Sequence, residues 1–422
     1  MSDQHLLRAG IAGMVLIAVG ACAPTGLDYK IVSEYAIDDP QFQRTMGTLL
    51  GPPIIPGNSA VSFLNGDEIF PAMLAGIAGA TKTITFETFV YWSGGTGRSF
   101  ADALCERARA GVRVHVLIDA VGGSKIDRAY IKELRDAGAE VVFYHALKWF
   151  DFGSAMRINN RTHRKLLVVD GSLAFTGGVG IADEWQGHAQ DSVHWRDTHY
   201  RVEGPVVGQL QAAFMDSWMQ ETGEVLHDAD YFPALKDSGP LFAQFFMSSY
   251  RGGSESMHLM YLLSIAESRS NIRLSSPYFV PDRRTEQTLL EARRRGVRVQ
   301  IILPGPFMDQ EFVRKASRAR WGDLLKAGVE IYEYQTTMYH CKLMIVDDFW
   351  TSVGSSNLDN RSFRLNDEAN LNILDAGFAA QEARMFEDDL KQSRQVTYEA
   401  WQHRPIAERI AEHLASLAGS QF

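Results

Sequence analysis

The chain has 422 residues, 45% of them hydrophobic and 22% charged, the composition of a globular protein long enough to bury a large core. Its 42 basic and 51 acidic residues leave a formal net charge of −9, whereas a non-specific nucleic-acid binder carries excess positive charge. Nucleic acid is therefore not an expected partner, although the balance leaves room for a local basic cleft.

Taken in chain order, residues 1–21 read as a signal peptide of the lipoprotein type. After Arg8, Ala9 to Ala21 are almost wholly apolar and small, too short to span a bilayer comfortably as a helix. Val19-Gly20-Ala21-Cys22 matches a bacterial lipobox, so cleavage before Cys22 would leave an acylated thiol that hangs the protein from a membrane. The competing reading is an uncleaved short anchor with an incidental cysteine. Either one puts the protein at a bilayer, and the lipobox reading predicts a membrane-anchored lipoprotein of the bacterial cell envelope, on its periplasmic face. Only Cys105 and Cys341 remain, so no disulfide framework is implied. Residues 22–57 read as a linker.

The body looks duplicated, with a first half at 58–235 and a second at 236–380. Ala110-Gly111-Val112-Arg113-Val114 is echoed by Arg295-Gly296-Val297-Arg298-Val299, and Asp136-Ala137-Gly138-Ala139-Glu140-Val141 by Lys326-Ala327-Gly328-Val329-Glu330-Ile331. Each unit reads strand, helix, strand, helix, strand, with helices at 98–109 and 283–294 that stop at a glycine. This predicts an α/β sandwich made twice. Gly94-Gly95-Thr96-Gly97-Arg98-Ser99 lacks the spacing and lysine of a phosphate loop and reads as a turn before a helix. From Gln209 to Gln220, Leu210, Phe214, Trp218 and Met219 recur at helical spacing and predict a core-facing helix. Residues 381–422 read as a helical tail with apolar faces, which either covers the second half or lies on a membrane surface.

The chemistry sits in a pattern that occurs twice: His163-Arg164-Lys165, four apolar residues and Asp170, then His340-Cys341-Lys342, four apolar residues and Asp347. In an extended strand side chains alternate, so each histidine points the same way as its lysine. Two such pairs, brought together, offer two imidazoles and two fixed positive charges, which suits displacement at a phosphodiester. Each copy runs on to a tight turn, Gly177-Gly178-Val179-Gly180 and Gly354-Ser355-Ser356-Asn357, where glycine allows close approach of an anion. An acid follows each turn, Asp197 and Glu368, able to accept from one histidine nitrogen and fix its tautomer. Asp170 and Asp347, at the far ends of their strands, read as structural. His188, His194 and His199 have no metal-ligand spacing, and neither a metal nor any other cofactor is expected.

On these motifs the sequence resembles the phospholipase D superfamily and, within it, the bacterial cardiolipin synthases. The flanking Trp195-Arg196-Asp197-Thr198-His199 and Asn357-Leu358-Asp359-Asn360-Arg361-Ser362-Phe363 are similar to that branch. The resemblance implies two halves related by a pseudo-twofold axis, with the active site at their interface. It also implies a phospholipid substrate, and transfer of a phosphatidyl group between phosphatidylglycerol molecules through a phosphohistidine. His163 or His340 would attack, with His163 favoured, while Lys165, Lys342 and Asn357 hold the phosphate oxygens. Hydrolysis to phosphatidic acid is the alternative; a nuclease-like phosphodiesterase and a non-catalytic lipid-binding protein follow. The family commonly carries Asn where the first copy has Gly180, so the two halves are not expected to hold the phosphate equally. The first copy also carries 13 extra residues between Glu140 and His163, including Lys148, Trp149, Phe150, Phe152, Met156 and Arg157. They fit a lip dipping into the headgroup region, or a loop whose aromatics fold back on the core.

Overall fold

Short β-branched and aromatic runs, separated by the helices just described, form two sets of strands. The first half holds β1 (Ile55–Leu64), β2 (Thr83–Thr88), β3 (Arg113–Asp119), β4 (Glu140–Tyr144), β5 (Leu166–Val169), β6 (Leu173–Gly177) and β7 (Thr198–Glu203). The second holds β8 (Leu241–Ser248), β9 (Asn271–Ser275), β10 (Phe279–Val280), β11 (Arg298–Pro304), β12 (Glu330–Tyr334), β13 (Leu343–Val346), β14 (Trp350–Gly354), β15 (Leu358–Asp359), β16 (Glu368–Leu374) and β17 (Ser393–Val396). This computed structural model describes residues 29–146, 159–249 and 255–417. The expectations placed on residues 1–21, on Cys22 and on Lys148, Trp149, Phe150, Phe152, Met156 and Arg157 lie outside the described residues.

All strands except the parallel pair β10 and β15 join one sheet. From the antiparallel seam of β1 with β8, the order outward is β7, β6, β5, β2, β3, β4 on one side and β16, β14, β13, β9, β11, β12 on the other. The two runs are equivalent strand for strand, the arrangement of tandem halves about an approximate twofold at the seam. In each run three parallel strands are joined by helical crossovers, as parallel neighbours require. The crossovers are Gly95–Arg109 and Arg128–Asp136 in the first half, and in the second Arg283–Arg294 and then Glu311–Ala319 with Trp321–Lys326. The helix expected from residue 98 starts at Gly95, because the Asp183 carboxylate accepts the free N–H groups of Gly95 and Thr96 at 3.0 and 2.8 Å.

Strand alternation sorts the apolar residues into separate cores. Leu166 and Val168 of β5, with Leu343 and Ile345 of β13, enter one core shared by both halves, while Leu167 and Val169 enter a core of the first half and Met344 and Val346 one of the second. The helix Val207–Thr222 drives Leu210, Phe214 and Trp218 into the shared core, as expected, but Met219 is 39% exposed. It lies one residue past the i, i+4, i+8 stripe and so turns about 100° away from it.

The tail departs from the wholly helical expectation. The helix Ala376–Lys391 begins before residue 381, and β17 then pairs antiparallel with β12 at the sheet edge. Two further helices follow, Tyr398–Gln402 and Ile406–Ser416. On the last one Ala415 packs with Val280, Val313 and Ala316 of the second half, while Ile406, Ile410, Leu414 and Leu417 face outward, each more than half exposed. Among the described residues no helix is long and apolar enough to cross a membrane.

Asp170 and Asp347 close the hairpins β5–β6 and β13–β14 and do the same thing in both halves. The Asp170 carboxylate accepts the N–H groups of Thr81, Lys82 and Thr83 at 2.9, 2.7 and 2.9 Å. That of Asp347 accepts those of Arg269, Ser270 and Asn271 at 2.7, 2.7 and 3.0 Å. Each pins the start of the neighbouring strand. Asp170→Ala and Asp347→Ala are each expected to cost about 1–2 kcal/mol in denaturant unfolding while leaving kcat of the folded fraction close to wild type. A large loss of kcat at full stability would contradict this structural role.

Candidate active site

The ladders of β5 and β13 begin at Leu166 and Leu343. His163 and Lys165, like His340 and Lys342, therefore stand on extended segments just ahead of the strands expected to carry them. The cause is where their backbone hydrogen bonds go. His163 N–H donates to Asp367 O at 2.8 Å and Asp367 N–H to Arg161 O at 2.9 Å; Arg196 N–H donates to Met338 O at 2.9 Å and His340 N–H to Arg196 O at 2.8 Å. These two parallel bridges, Thr162 with Asp367 and Arg196 with Tyr339, each tie a motif of one half to the acid-bearing segment of the other.

The histidine-acid pairs are consequently crossed between halves. Glu368 of the second half lies 3.0 Å from Nδ1 of His163, and Asp197 of the first half lies 2.7 Å from Nδ1 of His340. With Nδ1–H donated to the acid, Nε2 of each ring carries the lone pair. Arg164, between His163 and Lys165, points the other way. Fully buried, it donates to Ala213 O (2.8 Å), Ser217 Oγ (3.1 Å) and Ser248 O (2.9 Å).

The acids are themselves held. Glu368 accepts from Ser355 Oγ at 2.5 Å, Ser362 Oγ at 2.7 Å and Asn366 Nδ2 at 3.3 Å; Asp197 accepts from Trp185 Nε1 and Thr198 N–H, both at 2.9 Å. Where the second half has Ser355 the first has Gly178, and a Cβ there would fall 2.1 Å from Asp197 Oδ1. The shorter acid thus needs the glycine, while the longer one reaches the serine hydroxyl. Sequence reasoning missed Trp185, Ser355, Ser362 and Asn366 as partners of the acids. The two serines lay within segments already singled out as turns or family motifs, but no spacing relates Trp185 to Asp197.

Lys165 and Lys342 are buried and each donates Nζ–H to the carbonyl of its own histidine at 2.7 Å. Their charges reach across the interface: Lys165 and Lys342 oppose each other's protonation, His163 feels Lys342, and His340 feels Lys165. Both motifs therefore occupy one site. Burial pushes His163 down to about 4 against the pull of Glu368, and burial with Lys342 alongside pushes His340 down to about 3 against Asp197. Burial likewise pushes Lys165 down to about 7 and Lys342 down to about 8. It works to raise Glu368 and Asp197, but His163 with Lys165, and His340 with Lys342, outweigh it and hold both acids below the ordinary carboxylate range.

Aromatic rings wall the imidazoles. Phe89 meets His163 edge-on at 5.2 Å, and Trp185 and Trp195 stand 5.3 and 5.4 Å from His340. Asn357 is buried, and its Oδ1 has no protein partner. Its counterpart Gly180 has no room for an amide, since a Cβ there would lie 2.7 Å from Val90 Cβ. His199 is also buried, with neither ring nitrogen partnered, close enough to Asp197 and Lys165 to feel both charges.

Known proteins share this organisation. A family model described as "Cardiolipin synthase, PLD-like domain" matches residues 73–218 and again 261–390, once on each half. The cardiolipin synthase of Geobacillus kaustophilus is 35% identical over 367 residues, 86% of this chain and 72% of that protein. Cardiolipin synthase A of Pseudomonas putida is 34% identical over 377 residues, 89% and 77% respectively. A phosphatidylserine synthase from Haemophilus influenzae, only 13% identical, has the same fold, with a TM-score of 0.69 over 90% of this chain and 99% of that one. A family match repeated in each half, with relatives aligned along most of the chain, agrees with the doubled site, and the chain belongs to the phospholipase D superfamily, in the family of the bacterial cardiolipin synthases.

Proposed function

We propose that this enzyme is a membrane-associated phosphatidyltransferase that moves a phosphatidyl group from one phosphatidylglycerol to a hydroxyl of a second, giving cardiolipin and glycerol. The observation that carries the mechanism is the crossed pairing of His163 with Glu368 and His340 with Asp197 between two buried lysines. With both lysines protonated and both acids ionised the charges sum to zero, and the buried imidazoles stay neutral. An arriving phosphodiester monoanion makes room for one proton, so one imidazole becomes cationic and the other remains a nucleophile.

His163 then attacks phosphorus through Nε2; the P–N bond forms, the P–O bond to glycerol breaks, and His340 gives its proton to the departing oxygen. In the second step His340 takes the proton of the acceptor hydroxyl as that oxygen attacks, the new P–O bond forms and the P–N bond breaks. Lys165, Lys342 and Asn357 meet the charge that builds on the non-bridging oxygens. Glu368 and Asp197 hold the rings in register and stabilise the imidazolium. Water in place of the acceptor would give phosphatidic acid.

His163→Ala is expected to lower turnover of phosphatidylglycerol vesicles by more than about 10⁴-fold and His340→Ala by about 10²–10⁴-fold, with wild-type cardiolipin formation unchanged by chelator. Alkaline quenching with labelled donor should place the label on a His163 peptide. Label on His340 would reverse the roles, and substantial turnover in both single variants would end the assignment.

A pH profile provides a separate check. Losing the proton of Lys165 or Lys342 removes positive charge from the phosphate site, so kcat/KM should fall as pH rises from about 7 to about 9, following the free-enzyme lysines. A flat profile across that range would contradict the lysine role.

At the membrane, the outward row of Ile406, Ile410, Leu414 and Leu417 supports work at a lipid surface. The lipobox ending at Cys22 supports a lipid anchor and a periplasmic face. Palmitate labelling of the full chain in cells, lost in Cys22→Ser, is the expected result; equal labelling of that variant would refute the anchor.

A further inference from the structure

The two halves match in backbone but diverge in polarity at one pair of places. Tyr91 bridges Ile181 in the first half as Phe279 pairs with Leu358 in the second. The preceding residues are thus equivalent: Val90 with Gly180, and Tyr278 with Asn357. The first pair is apolar and closed, Val90 filling the space that a side chain at 180 would need. The second is polar, and its Tyr278 stands beside His340. Tyr278 presents its ring edge to His340, centroids 6.5 Å apart, and its hydroxyl donates to the Asp309 carboxylate, 2.9 and 2.7 Å from the two oxygens.

Asp309 is a solvent-facing acid close enough to Lys342 for their charges to interact, and among the described residues no ion pair neutralises it. The acid that ends the equivalent first-half strand, Asp119, is instead buried in an ion pair with Arg161 at 2.8 Å. A carboxylate with no cationic partner, held by Tyr278 near Lys342, repels a phosphate but accepts hydrogen bonds from neutral hydroxyls. The in-line geometry of displacement adds the second constraint: with His163 attacking, leaving and entering oxygens both lie on the opposite, His340 side.

We propose that Tyr278 and Asp309 form a polyol subsite that takes the terminal glycerol of phosphatidylglycerol. It would bind that glycerol first as leaving group and then, in the second step, as the headgroup of the acceptor lipid. Asp309 accepts from the glycerol hydroxyl that does not react, which holds the reacting hydroxyl toward Nε2 of His340. Tyr278 orients the carboxylate and covers the imidazole. The apolar counterpart on the His163 side has no alcohol to bind. This inference rests on the assignment of His163 as nucleophile and on phosphatidylglycerol as acceptor, and it predicts a preference for a glycerol hydroxyl over water.

The test uses the purified full chain on phosphatidylglycerol vesicles, with cardiolipin and phosphatidic acid quantified by mass spectrometry. A second series adds glycerol and ethanol as competing soluble acceptors. Tyr278→Phe and Asp309→Asn should each lower the cardiolipin to phosphatidic acid ratio, and the glycerol to ethanol preference, by about tenfold or more. Thermal midpoints should stay near wild type. Should Tyr278→Phe fail to fold, Asp309→Asn and Asp309→Glu carry the test alone, the glutamate restoring part of the preference. Variants that lower all products in parallel, with both ratios unchanged, would overturn the subsite while leaving cardiolipin synthesis intact. A wild type that makes no cardiolipin would instead overturn the proposed function, and the glycerol to ethanol ratio would still report on Tyr278 and Asp309.

Discussion

Two imidazoles, two ammonium groups and two carboxylates are packed where water is nearly absent. Charges withdrawn from water cost several kcal/mol each unless opposite charges and hydrogen bonds replace the lost hydration. The crossed pairs supply that replacement: Glu368 serves His163 and Lys165, Asp197 serves His340 and Lys342, and hydroxyl, amide and indole groups fill the remaining acceptor positions of the acids. Neither half contains a complete set for its own histidine. The interface between halves is therefore a condition for the site, and the parallel bridges at Thr162 and Arg196 are the backbone expression of it.

Duplication also explains what differs. Asp197 is paired with Gly178 and Glu368 with Ser355, two solutions of acid length to one problem, holding a carboxylate at Nδ1 of an imidazole from the other half. At other positions the halves have diverged in polarity: Arg164 against Cys341, Val90 and Gly180 against Tyr278 and Asn357. Displacement at phosphorus is itself asymmetric, with a nucleophile on one side and oxygen leaving or entering on the other, so a symmetric framework becomes useful by losing its side-chain symmetry near the reacting atoms.

Competition with water frames the rest. A transferase must let an alcohol reach the phosphohistidine more readily than bulk water, and Phe89, Trp185 and Trp195 leave little uncovered imidazole surface. The same desolvation lowers the proton affinity of both histidines and both lysines. Exclusion of water and readiness for a phosphate anion thus have one physical origin.

The duplicated motif, the alternation that sends Leu166 and Leu167 to different cores, and the helix stops at Gly111 and Gly296, both with left-handed φ, were all legible in the sequence. Each depends on local backbone geometry or on repetition within one chain. The tertiary structure alone decided which acid serves which histidine, because His163 and Glu368 are separated by 205 residues and His340 and Asp197 by 143. It also set the motif residues ahead of their strands, placed β17 at the sheet edge, brought Trp185 to Asp197 and set Asp309 beside Tyr278. Those outcomes follow from how one half packs against the other, and no period or spacing along the chain carries that information.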